Sequence, residues 1–190
     1  MLGVPSDPPV PSAPVTPAVL DTLREIVGEK GLILDEQDKQ PFVTDWRGSL
    51  VGRAAAVVRP ANTQQVSKVV KLCHDNSVAI VPQGGNTGLM GGATPWPAHR
   101  GIVLSLGRMN HVLDVDPAGY SMTVEAGCIL QTIQETAAGH DRFFPLSLGA
   151  QGSCISRAAR RLNSAKQPIV YAWHGSWGRW DAMSVQIARA

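Results

Sequence analysis

Apolar side chains recur at helical spacing in three stretches of the chain. The first stretch follows Thr16 and Pro17, a capping residue and a favoured first helical residue, and it ends at Gly28. The second stretch follows Asn62 and Gln65, which form a variant of the capping box. The spacing therefore predicts three helices, whose apolar positions are Leu20, Leu23, Ile26 and Val27, then Val66, Val69, Val70 and Cys73, and finally Ile129, Ile133 and Ala137.

Short apolar runs between these stretches predict strands over 54–58, 78–81, 102–106, 112–115 and 122–125. The segment from Asp35 to Trp46 is ambiguous and fits a short helix. Strands and helices thus follow one another in alternation. This order predicts an α+β fold with α/β-type alternation, built from small mixed sheets flanked by helices.

The composition fits a globular protein and limits the classes of function. Of the 190 residues, 44% are hydrophobic and 17% are charged, and no apolar run approaches the roughly 18 to 20 residues of a membrane span. The net charge of +2 is too small and too dispersed to indicate nucleic-acid binding. No Lys or Arg precedes Arg24, so neither a secretory nor a transit signal is visible and we expect a cytoplasmic protein.

Three scattered cysteines, Cys73, Cys128 and Cys154, do not form a disulfide framework and lack the spacing of a zinc site. We expect each of them to be a small core residue in a reducing compartment. No cluster of histidines, cysteines and acids has metal-ligand spacing, so no metal is predicted.

Residues 81–95 hold the most informative segment, in which five glycines surround Asn86 and Thr87 just after a predicted strand. Glycine lets the backbone turn sharply, and consecutive exposed N–H groups form a concave nest that holds an anion such as phosphate. A Walker loop is excluded because no Lys lies between Lys71 and Lys166, and a Rossmann fingerprint is excluded because position 83 is Gln. The pattern predicts a broad pyrophosphate-binding loop, and a purely structural glycine-rich turn stays open as the alternative.

Four segments share their order and intervals with a known family. They are 56–73, 82–92, 124–128 and 144–154. They resemble the FAD-linked oxidases of the vanillyl-alcohol oxidase type, in the branch of D-2-hydroxy-acid dehydrogenases that includes D-2-hydroxyglutarate and D-lactate dehydrogenases and the glycolate oxidase flavin subunit. The resemblance covers about residues 20–154. It implies a PCMH-type FAD-binding domain over 17–154, with subdomains at about 17–106 and 107–154, that is incomplete at its C-terminus.

The resemblance implies FAD as the cofactor. Main-chain N–H groups from Gly84 to Gly88 would hydrogen-bond its diphosphate, with Thr87 Oγ1 and Asn86 Nδ2 as extra donors. Some family members attach the flavin through a His in this loop, but His is absent from 75–98, so we expect noncovalent attachment. The cofactor-binding residues predicted in this way are Pro82, Gly84, Gly85, Asn86, Thr87, Gly88, Pro145, Leu148, Gly149 and Ser153.

The resemblance also implies the oxidation of a D-2-hydroxy acid, a small molecule, to a 2-oxo acid. In the family, the general base and the groups that bind the substrate come from a C-terminal substrate domain, which we expect to lie outside this chain. We therefore predict no catalytic residue, weak or no FAD retention, and no turnover by this chain alone.

The two ends of the chain differ from the part between them. Residues 1–16 are rich in proline and predict a disordered leader. Residues 155–190 carry six basic residues and one acid, for a net charge near +5, against a net charge near −3 before them. Because the family pattern also stops abruptly after Cys154, we interpret 155–190 as out of frame or otherwise disrupted.

Two alternatives for the function stay open: a nucleotide-binding subunit that needs a partner chain, and a non-catalytic protein whose basic tail binds an anionic surface. A homo-oligomer is also left open.

Overall fold

The computed structural model of the protein describes residues 13–98, 101–146, 152–154, 183–186 and 188–189. These residues fall into two compact units, Met1–Ser105 and Leu106–Ala190. Most of the predicted leader and most of the predicted atypical tail lie outside the described residues.

The first unit forms a four-stranded mixed sheet with helices. The sheet order is β1-β2-β4-β3, in which β2 and β3 both run parallel to β4 and β1 runs antiparallel to β2. Strands β2 and β4 are buried along their whole length, as expected of parallel strands covered on both faces. In chain order the elements are α1 Pro17–Val27, a 3₁₀ turn Glu29–Gly31, β1 Leu32–Ile33, α2 Glu36–Val43, β2 Ala56–Val58, α3 Thr63–Asp75, β3 Ile80–Gln83 and β4 Ile102–Ser105.

Local sequence signals explain where α1 and α3 begin. Thr16 Oγ1 accepts a hydrogen bond from Val19 N, as predicted for a capping residue. Asn62 Oδ1 accepts from Gln65 N, while the Gln65 side chain accepts from Ala61 N, so the variant capping box is confirmed.

Two details of the first unit differ from the prediction. Val70 was placed in the apolar stripe of α3, but it is 37% exposed, and the buried residues of α3 are Val66, Val69 and Cys73. Strand β3 begins at Ile80 rather than at Val78. The chain leaves α3 through Ser77 at φ 53°, and Val78 N still donates to Cys73 O, so Val78 belongs to the turn rather than to the sheet.

The second unit contains a three-stranded antiparallel sheet, β5-β6-β8, a two-stranded antiparallel pair, β7 and β9, and helix α4. Its core cluster includes Met122, Val124, Leu130, Ile133 and Phe144. The prediction put Ile129 on the buried face of α4, but Ile129 is the residue that precedes the helix, and Leu130 takes the buried position. The elements are β5 Val112–Asp116, β6 Ser121–Val124, α4 Leu130–Ala138, β7 Arg142–Phe143, β8 Met183–Gln186 and β9 Ala188–Arg189.

Candidate functional site

The glycine-rich loop leaves the end of β3, and its first anchor is Gln83. This residue is only 2% exposed, and its Nε2 donates to Phe42 O at 2.8 Å and to Ala93 O at 2.9 Å. One buried amide group therefore ties the start of the loop to its far end and to α2. A buried amide with both hydrogens bonded avoids the cost of an unpaired polar group.

Asn86 is the second anchor of the loop. Its φ of 51° lies in the left-handed region, which Asn adopts more readily than most residues. Its Nδ2 donates to Pro41 O at 3.0 Å and to Thr44 O at 2.7 Å. Because an amide nitrogen has two hydrogens, both are in use in this structure, and the predicted donation from Asn86 Nδ2 to a phosphate would have to replace one of these bonds.

Three of the four partners of these two amides are carbonyl groups at the end of α2. The last carbonyls of a helix have no partner within the helix and carry partial negative charge. Here Asn86 binds those of Pro41 and Thr44, Gln83 binds that of Phe42, and Gly52 N donates to that of Val43 at 2.7 Å. The loop thus caps the C-terminal end of α2.

A short hairpin next to this helix end is organised by Asp45. Its carboxylate accepts hydrogen bonds from Leu50 N at 2.8 Å and from Ser49 Oγ at 3.1 Å, while Asp45 N donates to Leu50 O. The hydrogen bond from Leu50 N is the main cause that lowers the pKa of Asp45 below its ordinary value of 3.8. The Asp45 carboxylate therefore shapes the hairpin that carries the exposed Trp46.

Two glycines of the loop have different reasons to be glycine. Gly91 has φ 69°, and a Cβ there would lie 2.6 Å from Leu50 Cδ1, so the fold itself requires glycine. Gly88 has no positive φ, and a Cβ there would have nothing within 4 Å. Nothing in the part of the chain that the structure describes requires glycine at position 88. Such an unexplained glycine is expected where a ligand lies against the open side of the residue.

The main-chain donors of the loop are available. Within the described ranges, the N–H groups of residues 84–88 donate no hydrogen bond, and Thr87 Oγ1 has no hydrogen-bond partner. Gly84, Gly85, Asn86 and Thr87 are half-buried. Half-buried amides without protein partners at one loop are suited to an anionic ligand, because unsatisfied N–H groups are rare in folded proteins.

Of the other predicted cofactor residues, Pro82 is exposed in β3, and the rest lie in the second unit or outside the described residues. Pro145 is exposed after β7, Ser153 is half-buried, and Leu148 and Gly149 lie outside the described residues. Gly127 must be glycine, because a Cβ there would lie 2.0 Å from Leu106 O.

No metal centre is visible in the described part of the chain, where no three His, Cys, Asp or Glu side chains are grouped to hold an ion. His111 Nδ1 lies 2.7 Å from Glu125 Oε2, and His74 is exposed on α3. All three cysteines are buried, as predicted, and burial raises the pKa of Cys73 to about 11.

Sequence reasoning missed Gln83 and Asp45 as parts of the site. Gln83 was used only to reject a Rossmann loop, and Asp45 was not singled out. A signal was present for Gln83, since a polar residue at the end of an apolar strand and next to glycines needs a buried partner. The partners themselves, Phe42 O and Ala93 O, follow from no local pattern.

Comparison with known proteins adds to this geometry. Residues 54–158, more than half of the chain, match the family described as FAD binding domain. The chain belongs to this family of FAD-binding domains. The match includes β2, α3, the glycine-rich loop and the whole segment from β4 to Cys154, so the expected FAD-binding domain is confirmed.

Relatives of this FAD-binding domain include members of the branch that the motifs resemble. The mitochondrial D-2-hydroxyglutarate dehydrogenase of Arabidopsis thaliana is 37% identical over 131 residues, which are 69% of this chain and 23% of the relative. A D-2-hydroxyglutarate–pyruvate transhydrogenase of Saccharomyces cerevisiae is 38% identical over 113 residues, which are 60% of this chain and 22% of the relative. The chain thus spans under a quarter of the length of these relatives.

A solved structure confirms the PCMH-type fold. The crystal structure of p-cresol methylhydroxylase with substrate bound matches with a TM-score of 0.67 at 14% identity, over 90% of this chain and 43% of that chain. Within the described residues, no helix is both long and apolar enough to cross a membrane.

Proposed function

We propose that the main-chain N–H groups of residues 84–88, together with Thr87 Oγ1, bind the diphosphate of a noncovalently held FAD. The single observation that carries this proposal is that these donors, of which those of residues 84–87 are on half-buried residues, have no partner among the described residues, in a domain that belongs to an FAD-binding family. The open side of Gly88 supports it, because no described residue lies within 4 Å of a Cβ placed there. Hydrogen bonds to a charged acceptor are about twice as strong as neutral ones.

We further propose that the protein is the FAD-binding part of an oxidoreductase that converts a D-2-hydroxy acid to a 2-oxo acid. The names of the relatives support this substrate class. When bound, FAD supplies a two-electron acceptor for hydride transfer. The residues of this chain bind and orient that acceptor, and no catalytic residue is assigned among them. Pro145, Leu148, Gly149 and Ser153 stay predicted contacts to the flavin and ribityl side.

The test is a titration of the isotope-labelled full chain, followed through its amide NMR signals, with FAD, ADP and riboflavin. If the loop binds a diphosphate, FAD and ADP shift the amide signals of 84–88, and riboflavin, which has no phosphate, does not. NMR detects weak binding, so low affinity does not hide the effect. Shifts that avoid these residues, or equal shifts with riboflavin, would refute the assignment.

Noncovalent attachment has its own test. Protein loaded with FAD is denatured in acid and centrifuged, and the yellow flavin is expected in the supernatant. Flavin that stays with the pellet would show a covalent bond and contradict the proposal. His is absent from 75–98, which supports the noncovalent form.

The compartment and the assembly state are further predictions. The sequence predicts a cytoplasmic protein, whereas the Arabidopsis relative is named as mitochondrial. Cell fractionation with an antibody against the chain decides between the two. A homo-oligomer stays open, and light scattering coupled to gel filtration measures it.

A further inference from the structure

The end of α2 presents a problem for any anion bound at the loop. The C-terminal end of a helix carries about half a negative charge, which repels a diphosphate. The carbonyl groups at this end, which have no partner within the helix, lie against the loop that offers the anion-binding N–H groups. A device that neutralises these carbonyls is therefore needed close to the diphosphate site.

Gln83 and Asn86, here called the amide clamp, have the chemistry for this role. Their four amide hydrogens go to Pro41 O, Phe42 O, Thr44 O and Ala93 O at 2.7 to 3.0 Å. Among side chains of this length, only a neutral amide offers two hydrogen-bond donors on one nitrogen. Asp or Glu, which have the same shape, would place carboxylate oxygens against carbonyl oxygens, and both kinds of oxygen are acceptors.

We propose that Gln83 and Asn86 are positioning residues for the cofactor, which hold the main chain of 84–88 in its diphosphate-binding shape by capping the carbonyls of α2. This inference rests on the proposed FAD site and deepens it. Asn86 does not donate to the phosphate through its side chain. It fixes the left-handed turn at residue 86 through its two bonds to the end of α2, and Gln83 closes the loop from the other side through Ala93 O.

The backbone conformation of Asn86 supports its role in holding the shape of the loop. A residue at φ 51° is held there by its surroundings, and the two bonds from Nδ2 supply that constraint. Both bonds reach across more than 40 positions of sequence, to residues 41 and 44, so the shape of the loop is set by tertiary contacts and not by its glycines alone.

The experiment compares Asn86→Asp and Asn86→Gly with the wild-type chain. Asp keeps the shape and loses both donors, and Gly adopts the same φ freely but has no side chain. Asn76→Asp is the matched control, since Asn76 Nδ2 also donates to a helix carbonyl, Leu72 O at 2.8 Å, at the end of α3. If Asn86→Asp fails to fold, Asn86→Gly carries the test.

Two quantities are measured: the Kd of FAD from the NMR titration, and the 15N relaxation of Gly84, Gly85 and Gly88 in the protein without FAD. Both Asn86 variants are expected to bind FAD about tenfold more weakly, equal to about 1.4 kcal/mol. They are also expected to show a more mobile loop before any ligand is added. The control is expected to change neither quantity, although it loses a comparable helix-capping bond.

The outcomes separate this inference from the function on which it rests. Weaker FAD binding with unchanged loop relaxation would mean that Asn86 acts directly on the ligand, and it would overturn the positioning role. Unchanged FAD affinity in both variants would also overturn it, while the FAD site itself would stand. A wild-type chain that shows no loop shifts with FAD or ADP overturns the proposed function, and the inference with it.

Discussion

Replacing Gly52 by Ala is expected to destabilise the first unit and to displace the far end of the glycine-rich loop. Gly52 is buried, and an added Cβ would lie 1.8 Å from Pro95 O and 2.7 Å from the carbonyl carbon of Pro95. An ordinary contact needs at least 3.4 Å, so the two segments must separate by about 1.6 Å. Neither contact is with a flexible side-chain end, so the backbone itself has to move.

The magnitude follows from what this movement breaks. Arg53 N donates to Trp96 O at 3.3 Å, and this bond crosses the interface that must open. Overpacking costs about 1–3 kcal/mol, and each lost buried hydrogen bond adds about 1 kcal/mol. We expect a loss of about 3 kcal/mol or more in the free energy of unfolding.

The assay is urea unfolding of the full chain followed by far-ultraviolet circular dichroism. With a slope of about 2 kcal/mol per molar urea, the midpoint of the first unit falls by about 1.5 M. Gly88→Ala is the control, because a Cβ there has nothing within 4 Å. Equal midpoints for Gly52→Ala and the wild type would refute the reasoning from close backbone approach.

The remaining predictions concern FAD affinity, pH and thiol reactivity. Gly88→Ala is expected to leave the urea midpoint within about 0.5 M of the wild-type value. It is also expected to weaken FAD binding about tenfold, because the added Cβ occupies the open side of the loop. Unchanged FAD affinity would show that Gly88 does not contact the cofactor. Asp45→Asn is expected to lower stability at neutral pH. The pKa of Asp45 is lowered in the folded state, so the extra stability of the wild type is complete at pH values above the ordinary pKa of 3.8 and is lost as the pH falls through the pKa of the folded protein. Urea midpoints of both proteins at about pH 7 and about pH 3 measure this change. A difference in stability that does not depend on pH would contradict the prediction. Cys73, whose pKa burial raises to about 11, is expected to react with a chromogenic disulfide reagent only after unfolding in urea, and rapid labelling of the native chain would contradict its burial.

Much of the fold follows from local patterns in the sequence. Capping at Thr16 and Asn62, and the apolar stripes behind them, located α1 and α3, because the geometry of a helix start involves residues only three or four positions apart. The five predicted strands lie within about two residues of β2 to β6, whereas the short strands β1, β7, β8 and β9 were not predicted. The errors at Val70, Val78 and Ile129 are boundary or edge positions, where the neighbouring element decides burial.

The sequence by itself determined that a glycine-rich loop follows a buried strand and that its order among the other motifs belongs to an FAD-binding domain, since these are properties of residue type and spacing. Tertiary structure alone decided what the polar residues of that loop do. Asn86 resembled a phosphate donor in the sequence, yet its amide is taken by carbonyls at Pro41 and Thr44, and Gln83 reaches Phe42 O in the same way. The physical reason is that a side-chain amide binds whichever acceptors the fold brings within about 3 Å, and partners about 40 residues away in the chain leave no periodic trace in the sequence.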